Sequence, residues 1–188
     1  MKYSKEWITK EELNRIINNP DISRRNELII SILYYCALRV SEMASLQVKD
    51  IDISNCTLTL WESKKSDDPE LVPAPAHLVK DISQWIRDKN LKGEDYLVRS
   101  QKGGHLSRSR IYRIIKQNAS RAGIDKEITP HSFRRSRATH LLDGGLSIEK
   151  VSRLLRHNRL ESTMTYLKIS IEDLKRDIKK IDKDILIS

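Results

Sequence analysis

A chain of 188 residues has room for one ordinary domain or two small ones. Hydrophobic residues make up 38% and charged residues 32%, too apolar in its periodic stretches for disorder and too charged for a membrane protein. No apolar run approaches the roughly 18 residues of a membrane span. The first residues lack a secretion signal, and Cys36 and Cys56 have neither disulfide nor zinc spacing, so a cytoplasmic location is expected.

Thr9-Lys10-Glu11-Glu12 has the form of a capping box, opening a helix with Leu13, Ile16 and Ile17 inward. Asn18-Asn19-Pro20-Asp21 stops it. A more buried helix is expected from Glu27 to about Leu38, its core side formed by Leu28, Ile29, Ile32 and Leu33. Arg39 follows directly, and Ser41 can cap a short helix carrying Met43 and Leu46. Over residues 48–73 the period changes. Three short strands are expected at Val48, Ile51 and Ile53, at Thr57 to Trp61, and at Leu71-Val72. The last two are joined by the polar turn Ser63-Lys64-Lys65-Ser66-Asp67-Asp68-Pro69.

Helical period returns over residues 76–88, through Leu78, Ile82, Trp85 and Ile86, and over 107–122, through Ile111, Ile114 and Ile115. Thr129 is a candidate N-cap with Pro130 at the first helical position, and Gly144-Gly145 ends that helix. Ser147 caps the next, through Val151, Leu154 and Leu155. Ile171, Leu174, Ile178, Ile181 and Ile185 then recur at steps of three and four. That a/d stripe fits a core helix of the same subunit or a helix docking on a neighbouring copy. The fold class expected is mostly α (α+β), one domain with a small three-stranded antiparallel sheet. Trp7, Trp61 and Trp85 read as core anchors, and Tyr34, Tyr35, His105 and His140 as ordinary packing or surface groups.

The charge is unevenly placed. Residues 1–100 carry 15 basic and 16 acidic side chains and residues 161–188 carry 6 of each, whereas residues 101–160 carry 14 basic against 4 acidic. Ten of those fourteen are Arg, whose planar fork matches phosphate oxygens bidentately. A solvated basic surface or a polyanionic partner fits this, with nucleic acid ahead of a membrane surface. Within this third, Thr129-Pro130-His131-Ser132-Phe133-Arg134 puts His131 in the first turn of a helix. Arg134, three residues on, shares its face, and a helix N-terminus with a His and an Arg can cradle a phosphate.

Six elements stand in order along the chain: Arg39 in Ala37-Leu38-Arg39-Val40-Ser41-Glu42, the Lys64-Lys65 turn, His131, Arg134, His157 in Leu154-Leu155-Arg156-His157, and Tyr166. With these, the sequence resembles the tyrosine recombinases, or phage-integrase family, in its Xer-like branch. The family pattern runs Arg in a G/A-L-R-x-S-E box, Lys on a β-hairpin, H-x-x-R, a later His or Trp in L-L-G-H, and a terminal Tyr. The resemblance covers about 160 of the 188 residues and extends to Ala138-Thr139-His140-Leu141-Leu142.

The resemblance implies a recombinase catalytic fold and site-specific cutting and rejoining of DNA without metal, ATP or other cofactor. Tyr166 would attack a backbone phosphorus to give a 3′-phosphotyrosyl intermediate and a free 5′ hydroxyl. Arg39, Arg134 and His157 would stabilise the charge developing on the non-bridging oxygens, each such donor typically contributing about 3–4 kcal/mol. Lys65, or Lys64 if the turn is shifted by one, would protonate the leaving oxygen. His131 would serve the phenol as base or proton shuttle. Glu42 would orient Arg39, and Lys64, Arg108, Arg110, Arg135 and Arg156 are candidate DNA contacts.

Three local departures accompany the match. The hairpin reads Ser63-Lys64-Lys65-Ser66 where G-K-G is usual, Arg135 stands where His is frequent, and Arg156 stands where the late His is preceded by Gly. The division expected is residues 1–170 as the catalytic domain and 171–188 as a tail helix, with the family's N-terminal core-binding domain absent. Self-association on DNA, as a dimer or tetramer, is expected. Two rival readings stand beside this one: a non-catalytic DNA-binding protein on the same scaffold, and a type IB-like topoisomerase.

Overall fold

Every side chain from Leu28 to Tyr34 is buried, a property of a helix enclosed on all sides rather than of one lying on a surface. In the computed structural model, which describes residues 7–61 and 69–156, this is α2 (Arg24–Tyr35). It packs against α1 (Lys10–Ile17), α3 (Val40–Ser45), α4 (Ala76–Asp88), α5 (Arg108–Arg121) and α6 (Pro130–Asp143). A last described helix, α7 (Ile148–Leu155), lies on α6. Burying Ile29, Ile30, Ile32 and Leu33 completely contributes about 1.5–3 kcal/mol per side chain, so the axis of the domain is fixed by α2.

The helix ends follow their local chemistry. Thr9 and Glu12 form the expected capping box on α1: Glu12 N–H donates to Thr9 Oγ1 at 3.1 Å and Thr9 N–H to Glu12 Oε2 at 2.8 Å. Helix α2 begins three residues earlier than its apolar period suggests, because Ser23 caps it by accepting from Asn26 N–H. It also stops earlier, since Ala37 takes a left-handed φ of 49° and turns the chain before Leu38. That conformation costs a non-glycine residue about 1–2 kcal/mol and fixes where the Ala37 carbonyl points. Helix α6 starts as expected, with Thr129 at the N-cap, Pro130 first, and the Thr129–Ser132 pair closing the cap. Gly145, at φ 87°, lets the chain reverse into α7.

The sheet is antiparallel in the order β1 (Ile51–Asp52), β2 (Thr57–Leu60), β3 (Glu70–Pro73), with Leu58 opposite Val72 and Leu60 opposite Glu70. Val48 is not a strand residue as its apolar character suggests. Asp50 accepts from Gln47 N–H at 2.9 Å and winds Val48–Asp50 into a 3₁₀ turn. Leu58, Leu60 and Val72 face the core, so Trp61 and Leu71 lie on the opposite face and are 64% and 67% exposed. Trp61 is therefore not a core anchor, because strand alternation turns it outward. Trp85 is one, with Nε1 donating to Leu97 O at 2.8 Å. Among the described residues no helix is long and apolar enough to cross a membrane.

One buried contact sets a pH dependence. Tyr34 Oη lies 2.8 Å from His140 Nδ1 across the α2–α6 interface. Burial, with Lys10 adding to it, holds the His140 imidazole below its ordinary value of 6.5, while burial raises the Tyr34 phenol. The phenol thus donates to a neutral ring. The unfolded chain binds this proton more readily, so the stabilisation is complete above pH 6.5 and is lost as pH falls towards the folded value. Melting temperature should decline between pH 7 and 5, and less so in His140→Gln. Carboxylates held down in the fold, such as Glu12 beside Lys126, act in a lower window.

Candidate active site

The left-handed turn at Ala37 and the C-terminus of α7 leave backbone carbonyls without helical partners, and two arginines supply the donors. Arg134 leaves α6 on its buried side, with 4% of the residue exposed. Its Nη1 donates to Ala37 O at 2.7 Å and its Nη2 to Leu155 O. Arg39, at the N-cap of α3, donates from Nη2 to Arg156 O at 3.1 Å. Two guanidiniums thus meet the carbonyls of successive residues, where the negative end of the α7 dipole favours cations. Arg39 and Arg134, 95 positions apart in sequence, are brought to one place.

Glu42 orients Arg39 from both ends. Its Oε2 accepts from the Arg39 backbone N–H at 2.6 Å, as half of a capping box on α3, and its Oε1 pairs with Arg39 Nη1 at 2.8 Å. Glu42 thus touches both the backbone and the guanidinium of Arg39. The Arg39 side chain is 39% exposed, so it faces the surface while its donors are aimed. His131 is exposed in the first turn of α6, three residues before Arg134 on the same helix. Pro130 and the Thr129 cap hold that turn, and two neighbouring positions at this spacing put the Cβ atoms about 5–6 Å apart.

The other candidates divide. Arg108 is exposed and Arg110 half-buried at the start of α5, whose outer side continues in Tyr112, Arg113 and Lys116, a basic face available to an anion. Arg135 is half-buried. Arg156 differs from an exposed phosphate contact: its side chain is 4% exposed and its Nη2 lies 2.6 Å from Glu42 Oε2. Burial draws this guanidinium below its ordinary range while Glu42 acts in the opposite sense. Lys64, Lys65, His157 and Tyr166 lie outside the described residues, as does the tail from Ile171. His157 follows Arg156 directly in sequence, and Lys64 and Lys65 fall between β2 and β3.

Residue-type patterns alone do not reveal three participants. The carbonyls of Ala37 and Leu155 carry no signal in their side chains, although a small residue before Leu38-Arg39 is a hint of the turn. Glu70, at the start of β3, lies 3.1 Å from Arg156 Nε and belongs to no motif. A cleft of about 610 Å³ adjoins Glu42 and is bordered by Lys49, Thr59 and Trp61. Burial pushes the Cys36 thiol up to about 12, which disfavours its thiolate form.

Two arginines converge at helix ends, and an exposed His stands on a capped helix N-terminus, on a mainly helical scaffold with a three-stranded sheet. The phage integrase family model matches residues 6–172. The chain is 32% identical over 176 residues to the tyrosine recombinase XerA of Thermococcus kodakarensis, covering 92% of this chain and 61% of that protein. It is 33% identical over 156 residues to XerC of Corynebacterium efficiens, covering 82% and 49%. A crystal structure of XerA recombinase superposes with a TM-score of 0.80 at 25% identity, over 93% of this chain and 64% of the other. XerH bound to its difH substrate before cleavage shares the fold, with a TM-score of 0.77 at 24% identity over 92% of this chain and 53% of the other. The chain belongs to the phage integrase family, the tyrosine recombinases, and its fold is that of their catalytic domain. It spans about three fifths of the length of the XerA relatives it matches.

Proposed function

We propose that this chain carries the strand-cutting and strand-joining chemistry of a site-specific DNA recombinase. The Tyr166 oxygen forms a bond to the scissile phosphorus as the bond to the 5′ oxygen breaks. The phenolic proton leaves by way of His131, and the departing oxygen takes a proton from Lys65 or its neighbour Lys64. The phosphotyrosyl ester keeps the phosphodiester energy, so attack by a 5′ hydroxyl reverses the step and joins strands without an external energy source. Arg39, Arg134 and His157 stabilise the charge on the non-bridging oxygens. The observation that carries this reading is the convergence of Arg39 and Arg134 on the carbonyls of Leu155 and Arg156, directly before His157.

The partner in this reading is double-stranded DNA in the cytoplasm, met by the basic face of α5 and the N-terminus of α6. Two or more copies assemble on DNA for strand exchange. Residues 1–170 act as the catalytic unit in this reading. A duplex nicked just beyond the scissile phosphate tests the reading, because loss of the short 5′-hydroxyl fragment prevents rejoining and traps the intermediate. The wild-type chain should accumulate a protein–DNA adduct stable to denaturant. Retention of DNA without an adduct would make the chain a binding module instead.

A further inference from the structure

Arg156 combines an unfavourable backbone with an inward charge. Its φ of 52° and ψ of 51° at the C-cap of α7 lie in the left-handed region that favours glycine. A side chain tolerated there is held by its surroundings. Nη2 lies 2.6 Å from Glu42 Oε2, Nε lies 3.1 Å from Glu70 Oε2, and Nη1 donates to Leu154 O at 3.1 Å. Its side chain is only 4% exposed, and its two Nη atoms are engaged by Glu42 and the Leu154 carbonyl.

Glu42 therefore lies between two guanidiniums, Arg39 on Oε1 and Arg156 on Oε2. A carboxylate paired with Arg39 alone would orient it and also cancel most of its field at a nearby phosphate. A second guanidinium on the same carboxylate shares its charge, so that less of it falls on Arg39. Glu70 Oε2, from β3, lies 3.1 Å from Arg156 Nε on the far side of the guanidinium, and both atoms are buried. The Arg39 contact to Arg156 uses the backbone carbonyl, so it survives any change of the Arg156 side chain.

We propose that Arg156 is a positioning residue for Arg39, holding Glu42 so that this carboxylate aims the Arg39 guanidinium at a scissile phosphate. The inference rests on the reading of Arg39 as a phosphate-binding group. Two nicked duplexes test it, one with an ordinary phosphodiester at the scissile position and one with an uncharged methylphosphonate. The rate of strand cleavage by the full chain is measured on both. Arg156→Gly removes the guanidinium and suits the left-handed backbone; Arg156→Lys keeps the charge but not the fork.

Cleavage of the phosphodiester by Arg156→Gly should fall about 10- to 100-fold, the scale on which loss of an orienting partner is felt at charged sites. On the methylphosphonate, which presents no charge for Arg39 to meet, the same variant should stay within about threefold of wild type, because the effect acts through that charge. Arg156→Lys should fall between. Equal slowing on both duplexes, or none on the phosphodiester, overturns the inference. A wild-type chain that cleaves neither duplex overturns the recombinase reading itself, and this inference with it.

Discussion

Replacing Arg134 by Ala should damage stability and chemistry together. The guanidinium donates to two carbonyls, Ala37 O at the turn after α2 and Leu155 O at the end of α7, and it is almost fully buried. Hydrogen bonds from a charged donor contribute about 1.5–3 kcal/mol each, and their loss leaves buried carbonyls without donors. A net destabilisation of about 3 kcal/mol, at about 2–4 °C per kcal/mol for a chain of this size, predicts a melting temperature lower by roughly 6–12 °C. Adduct formation on the nicked duplex should fall by at least about two to three decades, measured at a temperature where the variant remains folded. A variant that melts like wild type would mean that the α2 turn and the α7 end are held together by other contacts. The double role follows from position: a group that fastens two helix ends also fixes where its own remaining donor surface points.

Tyr166→Phe should behave in the opposite way, losing all covalent adduct while retaining DNA and melting unchanged. In the proposed mechanism, removing one oxygen abolishes the nucleophile but alters neither net charge nor the arginines assigned to phosphate. Gel retardation, denaturing electrophoresis of the nicked-duplex reaction and a thermal melt read the three quantities on the same preparation. An adduct persisting in Tyr166→Phe would reassign the nucleophile. The two variants together separate a residue that shapes the site from one that only reacts in it.

Much of the architecture was legible because it is written in local rules. The Thr9 capping box, the Thr129-Pro130 start of α6 and the bounds of α4 follow from capping chemistry and apolar period, and the structure has them there. The errors have local causes as well. The first turn of α2 is polar, so its apolar period starts after the Ser23 cap; Val48 looks like a strand residue but yields to the Asp50–Gln47 hydrogen bond. Trp61 looks like core by residue type, yet its exposure depends on which face of β2 it occupies. The ordered boxes around Arg39, His131 and Arg134 named the family, because six reactive residue types in sequence order are a chemical pattern that survives without knowledge of distance.

By itself the sequence determined the class of fold, the concentration of positive charge in one third of the chain and the identities of the groups suited to phosphate chemistry. Only the tertiary structure decided that Arg134 fastens the turn after α2 to the end of α7, that Glu42 is shared by two guanidiniums, and that Arg156 faces inward to Glu70. The reason is that charge and residue type are properties of single positions. Whether an arginine meets solvent, a backbone carbonyl or a carboxylate depends on helix ends and strands distant in sequence that come together only when the chain packs around α2.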